Sequence, residues 1–311
     1  MNLEFRECFN NLKFILMEGA IGERLRSEFS VLPDNDVALA AHIYNDNSKN
    51  ILERLYIQYI DISLKYNFPI MITTPTRRAN KERINRSRYS EKIIGDNVYF
   101  LEKIISKFSS QIYIGGLMGC KGDAYIGNEG LSEEDAFEFH SWQANLFKGS
   151  KVDFLYAGIM PSLTESIGMA KAMESTSIPY IISFMIREDG RLLDGTTINE
   201  AILVIDKNTK TNPVCYMTNC VHPDVVYEAL SRDFNKTDMV KARFKGIQAN
   251  TSSLPPEILD NSLKSITCNP DNLALSMERL YECFNLKIFG GCCGTTDRHM
   301  DEIGKRLNRI K

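Results

Sequence analysis

Cys292 and Cys293 stand side by side in the segment KIFGGCCGTTD, residues 287–297. Neighbouring side chains on a regular strand point to opposite faces, so two adjacent thiols aim at one point only where the backbone leaves strand geometry. Gly291 and Gly294 flank the pair and supply conformations closed to other residues. The apolar Ile288-Phe289 before them reads as a short buried strand that breaks into a tight turn. A third thiol in a matching place is Cys220, in Thr218-Asn219-Cys220, which follows another apolar run at 213–217. A lone Cys-Cys pair is commonly packing or a vicinal disulfide, and it is the third cysteine that turns the balance toward a metal site.

Three thiolates suit a borderline-soft ion such as zinc. Three protein ligands also leave the fourth tetrahedral position open, the mark of a catalytic rather than a structural site. His222 is the candidate for a closing fourth ligand, against its place just before Pro223, where it equally begins a helix. An ion held by three thiolates is electron-rich and better suited to taking a substrate thiol as thiolate than to activating water. A free thiol with a pKa near 8.5 is only a few per cent ionised at pH 7, so full ionisation raises the reactive fraction roughly thirty-fold, or about 2 kcal/mol. Positioning that thiolate in line with an activated methyl group has to supply the larger share of the rate.

The elements that carry these residues alternate along the whole chain. Strand candidates are read at 14–17, 70–73, 112–117, 153–157, 180–185, 214–218, 244–249 and 287–289. Between them lie helical stripes, such as Ile51, Leu55, Tyr59 and Ile62, or Val98, Leu101, Ile105 and Phe108. Further helices are expected at 133–147, 163–175, 223–231, 271–284 and 297–310. Eightfold strand-helix alternation predicts a closed parallel (β/α)8 TIM-type barrel, with an open doubly wound sheet as the alternative. No linker or composition shift divides the chain, so 1–311 is read as one domain.

Such a barrel gathers the residues after each strand on one rim, where barrel enzymes place their active sites. Glu18 and Gly19 follow the first strand, Thr74 and Thr76 the second, Gly116 to Gly119 the third and Gly158 the fourth. Ser183, Cys220, Asn250 and the Cys292-Cys293 pair complete the ring. Glu18, Gly19, Thr74, Ser183 and Asn250 are the candidate substrate contacts. For Glu18 the competing reading is a solvated loop acid; for Ser183 and Asn250 it is hydrogen bonding within the rim itself.

Composition narrows the partners. Hydrophobic residues at 43%, charged residues at 25% and a net charge of −3 over 311 residues fit an ordinary globular protein with a small-molecule partner, not a nucleic-acid binder. No membrane-length apolar run and no signal-like N-terminus is seen, so a cytoplasmic location with reduced thiols is expected for the eight cysteines. Arg77, Arg78, Lys81, Arg83, Arg86 and Arg88 form a basic run, read as a solvated face because Glu82 and Glu91 are interspersed.

The residues resemble one family, the zinc-dependent homocysteine S-methyltransferases, which include the betaine and S-methylmethionine enzymes and the homocysteine-binding module of cobalamin-dependent methionine synthase. Gly290 to Thr296 looks like the family's signature, and Asn219-Cys220 with Pro223 resembles its upstream cysteine motif. Glu18-Gly19-Ala20-Ile21-Gly22, Thr73-Thr74-Pro75-Thr76 with Ala79-Asn80, Pro161 with Glu165, Ser183-Phe184 and Asp194-Gly195-Thr196 fall in the family's order. The resemblance implies zinc on Cys220, Cys292 and Cys293, the barrel fold, and methyl transfer to a zinc-bound homocysteine thiolate, giving methionine. The departures lie in the pocket. Gly158-Ile159-Met160-Pro161 replaces a run that carries an acid in the family, Glu18 replaces a shorter aspartate, and Pro75 replaces an asparagine. A free sulfonium donor, such as S-methylmethionine or S-adenosylmethionine, is favoured, since no cobalamin or folate module is evident in these residues. Alternatives are a separate corrinoid protein as the methyl source, another small thiol as acceptor, and a non-enzymatic zinc- or thiol-binding barrel.

Overall fold

The computed structural model describes residues 3–125, 131–253 and 267–311. Each apolar run forms a parallel strand: β1 Ile15–Met17, β2 Ile70–Thr73, β3 Ile112–Gly119, β4 Phe154–Met160, β5 Tyr180–Phe184, β6 Tyr216–Val221, β7 Phe244–Ala249 and β8 Ile288–Gly291. They pair in sequence order, and β8 returns to β1 with Ile15 opposite Ile288, so the sheet is a closed barrel and not the open doubly wound alternative. Strands buried on both faces explain the near-continuous apolar runs. Met17, Met71, Tyr156, Met217 and Ile288 fill the interior, while their neighbours Leu16, Ile70, Leu155, Tyr216 and Phe289 pack outward against the helices.

The helices are α1 Phe5–Asn11, α2 Gly22–Phe29, α3 Asp46–Lys65, α4 Lys81–Arg86, α5 Lys92–Ile105, α6 Glu133–Phe147, α7 Leu163–Glu174, α8 Ile198–Asn208, α9 Pro223–Leu230, α10 Asp238–Arg243, α11 Pro270–Phe284 and α12 Asp297–Arg309. Among the described residues, no helix is long and apolar enough to cross a membrane.

Several strands run further than their apolar pattern. Gly116 to Gly119, Gly158 and Cys220, expected just beyond strand ends, lie inside the β3, β4 and β6 ladders. Pairing is made by the backbone, which a glycine shares with every other residue. At Gly116 the absence of a side chain is required, because a Cβ there would stand 2.9 Å from both Leu155 and Phe147.

Below the barrel, α1 closes the opening. Phe5 stacks on Phe154 with ring centroids 4.5 Å apart and meets Tyr113 edge-on at 5.5 Å. Cys8 is fully buried beside them, and the Tyr113 hydroxyl donates to Leu3 O at 2.9 Å. Phe5 is 2% exposed, so Phe5→Ala leaves a hole that the rigid strands cannot fill. The variant is expected to lose about 3–5 kcal/mol in urea unfolding. A loss below ~1 kcal/mol would mean that α1 is only laid against the barrel.

Candidate metal centre and acceptor pocket

The three cysteines converge at the carboxyl end of the barrel. Their sulfurs all lie within 4.8 Å of one another, and Cys220 is buried while Cys292 and Cys293 are half-buried. Three sulfurs on one tetrahedral zinc at about 2.3 Å would stand about 3.8 Å apart, so this donor set fits the ion. The Cys220 and Cys292 sulfurs lie within bonding reach of each other, with Cα atoms 5.4 Å apart. The convergence that lets sulfurs share an ion also brings two of them within bonding reach, and disulfide and metal ligation are alternative states of the same residues.

Two turns produce the convergence. At the end of β8, the Cys292 carbonyl accepts from Thr295 N at 3.1 Å and from Thr295 Oγ1 at 2.6 Å. Gly294 takes φ 80° at the third position of this turn, where glycine is favoured. A Cβ on Gly291 would lie 2.3 Å from Thr295 Oγ1. Glu23 Oε2 accepts from Gly294 N at 2.6 Å and ties the turn to α2. At the end of β6, Cys220 itself has φ 59°, and the pairing with β7 slips between Asn219 and Val221. Ile159 on β4 matches it with φ 58° beside a slip in the pairing with β5. A β-branched residue in the left-handed region is a genuine outlier that costs on the order of 1–3 kcal/mol and persists only where surroundings hold it.

Glu18 is no solvated acid. It is 3% exposed, and its Oε1 accepts from the Thr73 amide at 3.2 Å and the Thr73 hydroxyl at 2.5 Å. Its Oε2 is buried with no partner, which in a folded protein calls for a donor from elsewhere. Burial pushes its carboxyl up to about 7 from an ordinary 4.5, against the pull of the Thr73 hydrogen bonds. Its carbonyl accepts from Gly291 N at 3.0 Å, which places Glu18 directly beside the cysteine turn.

Of the other expected pocket residues, Thr74 commits its hydroxyl to Thr76 at 2.7 Å and to Leu117 N at 3.0 Å, linking β2 to β3. Gly19 packs against Tyr59, whose ring a Cβ would strike. Ser183 donates to Asn219 Oδ1 at 2.7 Å, and Asn250 Oδ1 accepts from Ser252 N at 3.2 Å, so both bond within the rim. His222 stands outside the sulfur cluster: its Nδ1 accepts from Asp224 N at 3.2 Å and caps α9. The basic run largely pairs locally. Arg83 and Arg86 reach Asp36, and Arg88 donates to the Tyr89 hydroxyl; Lys81, Arg86 and Arg88 are exposed, as a solvated face would be, while Arg77, Arg78 and Arg83 are half-buried.

Sequence reasoning gave no role to Thr73, Tyr156 or Gln248, nor to Asn219 itself. Tyr156 donates to Gln248 Oε1 at 2.9 Å inside the barrel. Their signal was a polar residue at an inward step of an otherwise apolar strand. His140 and Glu165 form a second buried pair at 3.0 Å, and Glu165 Oε1 also accepts from Lys121 N at 2.7 Å, fastening the loop after β3 to α7. Beside Cys220 opens a cavity of about 120 Å³ with Met185, Ile186, Val221 and Val225 on its apolar side and Arg187, Glu188 and His222 on its polar side.

A closed parallel barrel with three cysteines meeting at its carboxyl rim defines a class of barrel proteins whose rim cluster could hold a metal ion. A family model described as homocysteine S-methyltransferase matches residues 15–307. The chain belongs to the homocysteine S-methyltransferase family. It is 27% identical over 213 residues to homocysteine S-methyltransferase 2 of Saccharomyces cerevisiae, a match spanning 62% of each chain. Its fold is that of the homocysteine methyltransferase MmuM from Escherichia coli. The metallated form aligns with TM-score 0.77 and 16% identity, over 98% of this chain and 100% of that one. The oxidized form aligns with TM-score 0.76 at 17% identity, over the same shares.

The burial of Glu18 carries a pH signature. A carboxyl raised from 4.5 to about 7 on folding binds its proton more tightly in the folded state. Its contribution to stability is therefore complete below pH 4.5 and is lost as pH rises through 7. Urea unfolding of the reduced, metal-free protein should show stability falling across this window. Glu18→Gln should remove from that slope a component on the order of 2–3 kcal/mol. Parallel slopes for the parent and the variant would contradict the burial argument.

Proposed function

We propose that this chain transfers a methyl group from an activated donor to the thiol of homocysteine, giving methionine, with zinc held by Cys220, Cys292 and Cys293. The observation that carries the reading is the meeting of three sulfurs within 4.8 Å at the barrel rim. Three sulfur donors favour zinc over the harder divalent ions. When bound, the ion would supply the positive charge that ionises an incoming thiol, with a fourth tetrahedral position left for that sulfur.

The chain's own residues do the rest. Glu18, with one unpartnered buried oxygen beside the cysteine turn, would receive the acceptor's ammonium, and that positive charge would in turn hold the carboxyl ionised. Thr73, through two hydrogen bonds to the other oxygen, keeps the carboxylate facing the pocket. Gly19, Thr74, Ser183 and Asn250 shape the walls around it. The cavity next to Cys220 joins an apolar wall of Met185, Ile186, Val221 and Val225 to Glu188, which suits the methyl end and the positive charge of a free sulfonium donor. The acceptor sulfur loses its proton and forms a bond to the methyl carbon. The donor's carbon–sulfur bond breaks, and the donor leaves as a neutral thioether. Alignment of the two sulfurs along one line is where most of the rate has to come from.

Calorimetry of the reduced protein with L-homocysteine checks this. Zinc-loaded protein should bind with release of about one proton at pH 8, and chelated protein should bind at least 10-fold more weakly. Glu18→Ala should weaken binding of homocysteine by roughly 10- to 100-fold, the loss of one charged hydrogen bond. Binding that is indifferent to the metal would refute the zinc reading; no binding by zinc-loaded protein would mean that the acceptor is a different thiol.

A further inference from the structure

We infer that Asn219 is the positioning residue of the metal site: through a single acceptor atom it ties three strands together and fixes the turn that aims Cys220. The inference deepens the proposed function and rests on its metal site. Asn219 points into the barrel, where it is 5% exposed. On a regular strand the next residue would face the helices. Cys220 escapes that fate because its backbone enters the left-handed region and the ladder to β7 slips by one residue. Cysteine has no intrinsic preference for that conformation, so something outside β6 has to hold it.

The holding contact is visible. Asn219 Oδ1 accepts from the Ile159 amide of β4 at 2.9 Å and from the Ser183 hydroxyl of β5 at 2.7 Å. Ile159 too sits at positive φ, and its amide lies at a slip in the pairing of β4 with β5. Two strained residues on strands that are not neighbours are thus locked by one side-chain oxygen. Just below, Thr218 Oγ1 donates to Phe184 O at 2.9 Å and fastens β6 to β5 a second time. Asn219 and Cys220 share a peptide plane, so anchoring the Asn219 side chain on β4 and β5 restrains the backbone that leads into the left-handed turn at Cys220. An aspartate would preserve the acceptor, whereas an alanine would release both donors.

Cobalt(II) binding under reducing conditions tests this, read both as a dissociation constant and as the thiolate-to-metal charge-transfer absorption. Asn219→Ala should weaken cobalt binding about 10- to 100-fold and lower the charge-transfer intensity. Asn219→Asp should stay within about threefold of the parent, and Ser183→Ala, which removes one of the two donors, should lose about 3- to 10-fold. Thermal melting of the metal-free proteins separates this from general destabilisation: Ser183→Ala and Asn219→Asp should melt near the parent. Parent-like cobalt binding by Asn219→Ala would overturn the inference, as would an equal loss in Asn219→Asp. Should Asn219→Ala fail to fold, unchanged cobalt binding by Ser183→Ala overturns it. Absence of thiolate bands in the parent itself would sink the metal site and this inference with it, whereas parent bands with indifferent variants sink the inference alone.

Discussion

A strand sends successive side chains to opposite faces, yet this site needs successive residues to serve one point. Asn219 and Cys220 both act at the barrel mouth, as do Cys292 and Cys293. The fold meets the constraint by ending regular pairing where chemistry begins. β6 slips and turns left-handed at Cys220. β8 stops at Gly291 and passes directly into a turn held by Thr295. Everything beneath is a rigid, closed ladder with an apolar filling, and that rigidity allows a strained backbone to persist at the rim.

The same economy governs the polar groups. Inside the barrel, nearly every buried polar side chain is consumed by a neighbour: Thr74 by Thr76 and Leu117, Tyr156 by Gln248, Ser183 by Asn219. Glu18 Oε2 stands out among the described pocket residues because it is buried with no partner. A carboxylate oxygen left in that state is costly unless a ligand completes it. The side chain is held toward the pocket by Thr73 and, through its carbonyl, is bonded to the strand that carries Cys292. The buried carboxylate and the cysteine turn thus share one short stretch of backbone.

Much of this was legible in residue types. The eightfold alternation of apolar runs and helical stripes predicted the barrel. Cys292 and Cys293 were recognisable because paired cysteines between glycines at a strand end have few uses, and Cys220 because it follows another apolar run in a matching place. What was hidden follows from what a sequence leaves out. Helix α1 buries only Phe5 and Cys8 over its length, too short a stripe to detect, and it gains its meaning from a hole that exists only once the strands close. Helix α8, absent from the helices expected, does carry a full stripe of Ile198, Ala201, Ile202 and Ile205. Strand ends were misplaced because glycine and cysteine carry no β signal although their backbones pair normally. Glu18 was placed correctly at the rim, but its burial depends on helices packed around it from distant sequence. Asn219 was noticed only as the neighbour of a cysteine, since nothing local reveals that its acceptor reaches β4 and β5.

In the proposed site, three protein sulfurs leave one position for a fourth sulfur from the acceptor. X-ray absorption at the zinc edge, on reduced and zinc-loaded protein before and after addition of homocysteine, tests this most directly. Three sulfurs at about 2.3 Å with one lighter ligand are predicted for the free protein, and four sulfurs at about that distance once homocysteine is added. A sulfur count that does not change on addition, or a first shell containing a histidine nitrogen, would contradict it.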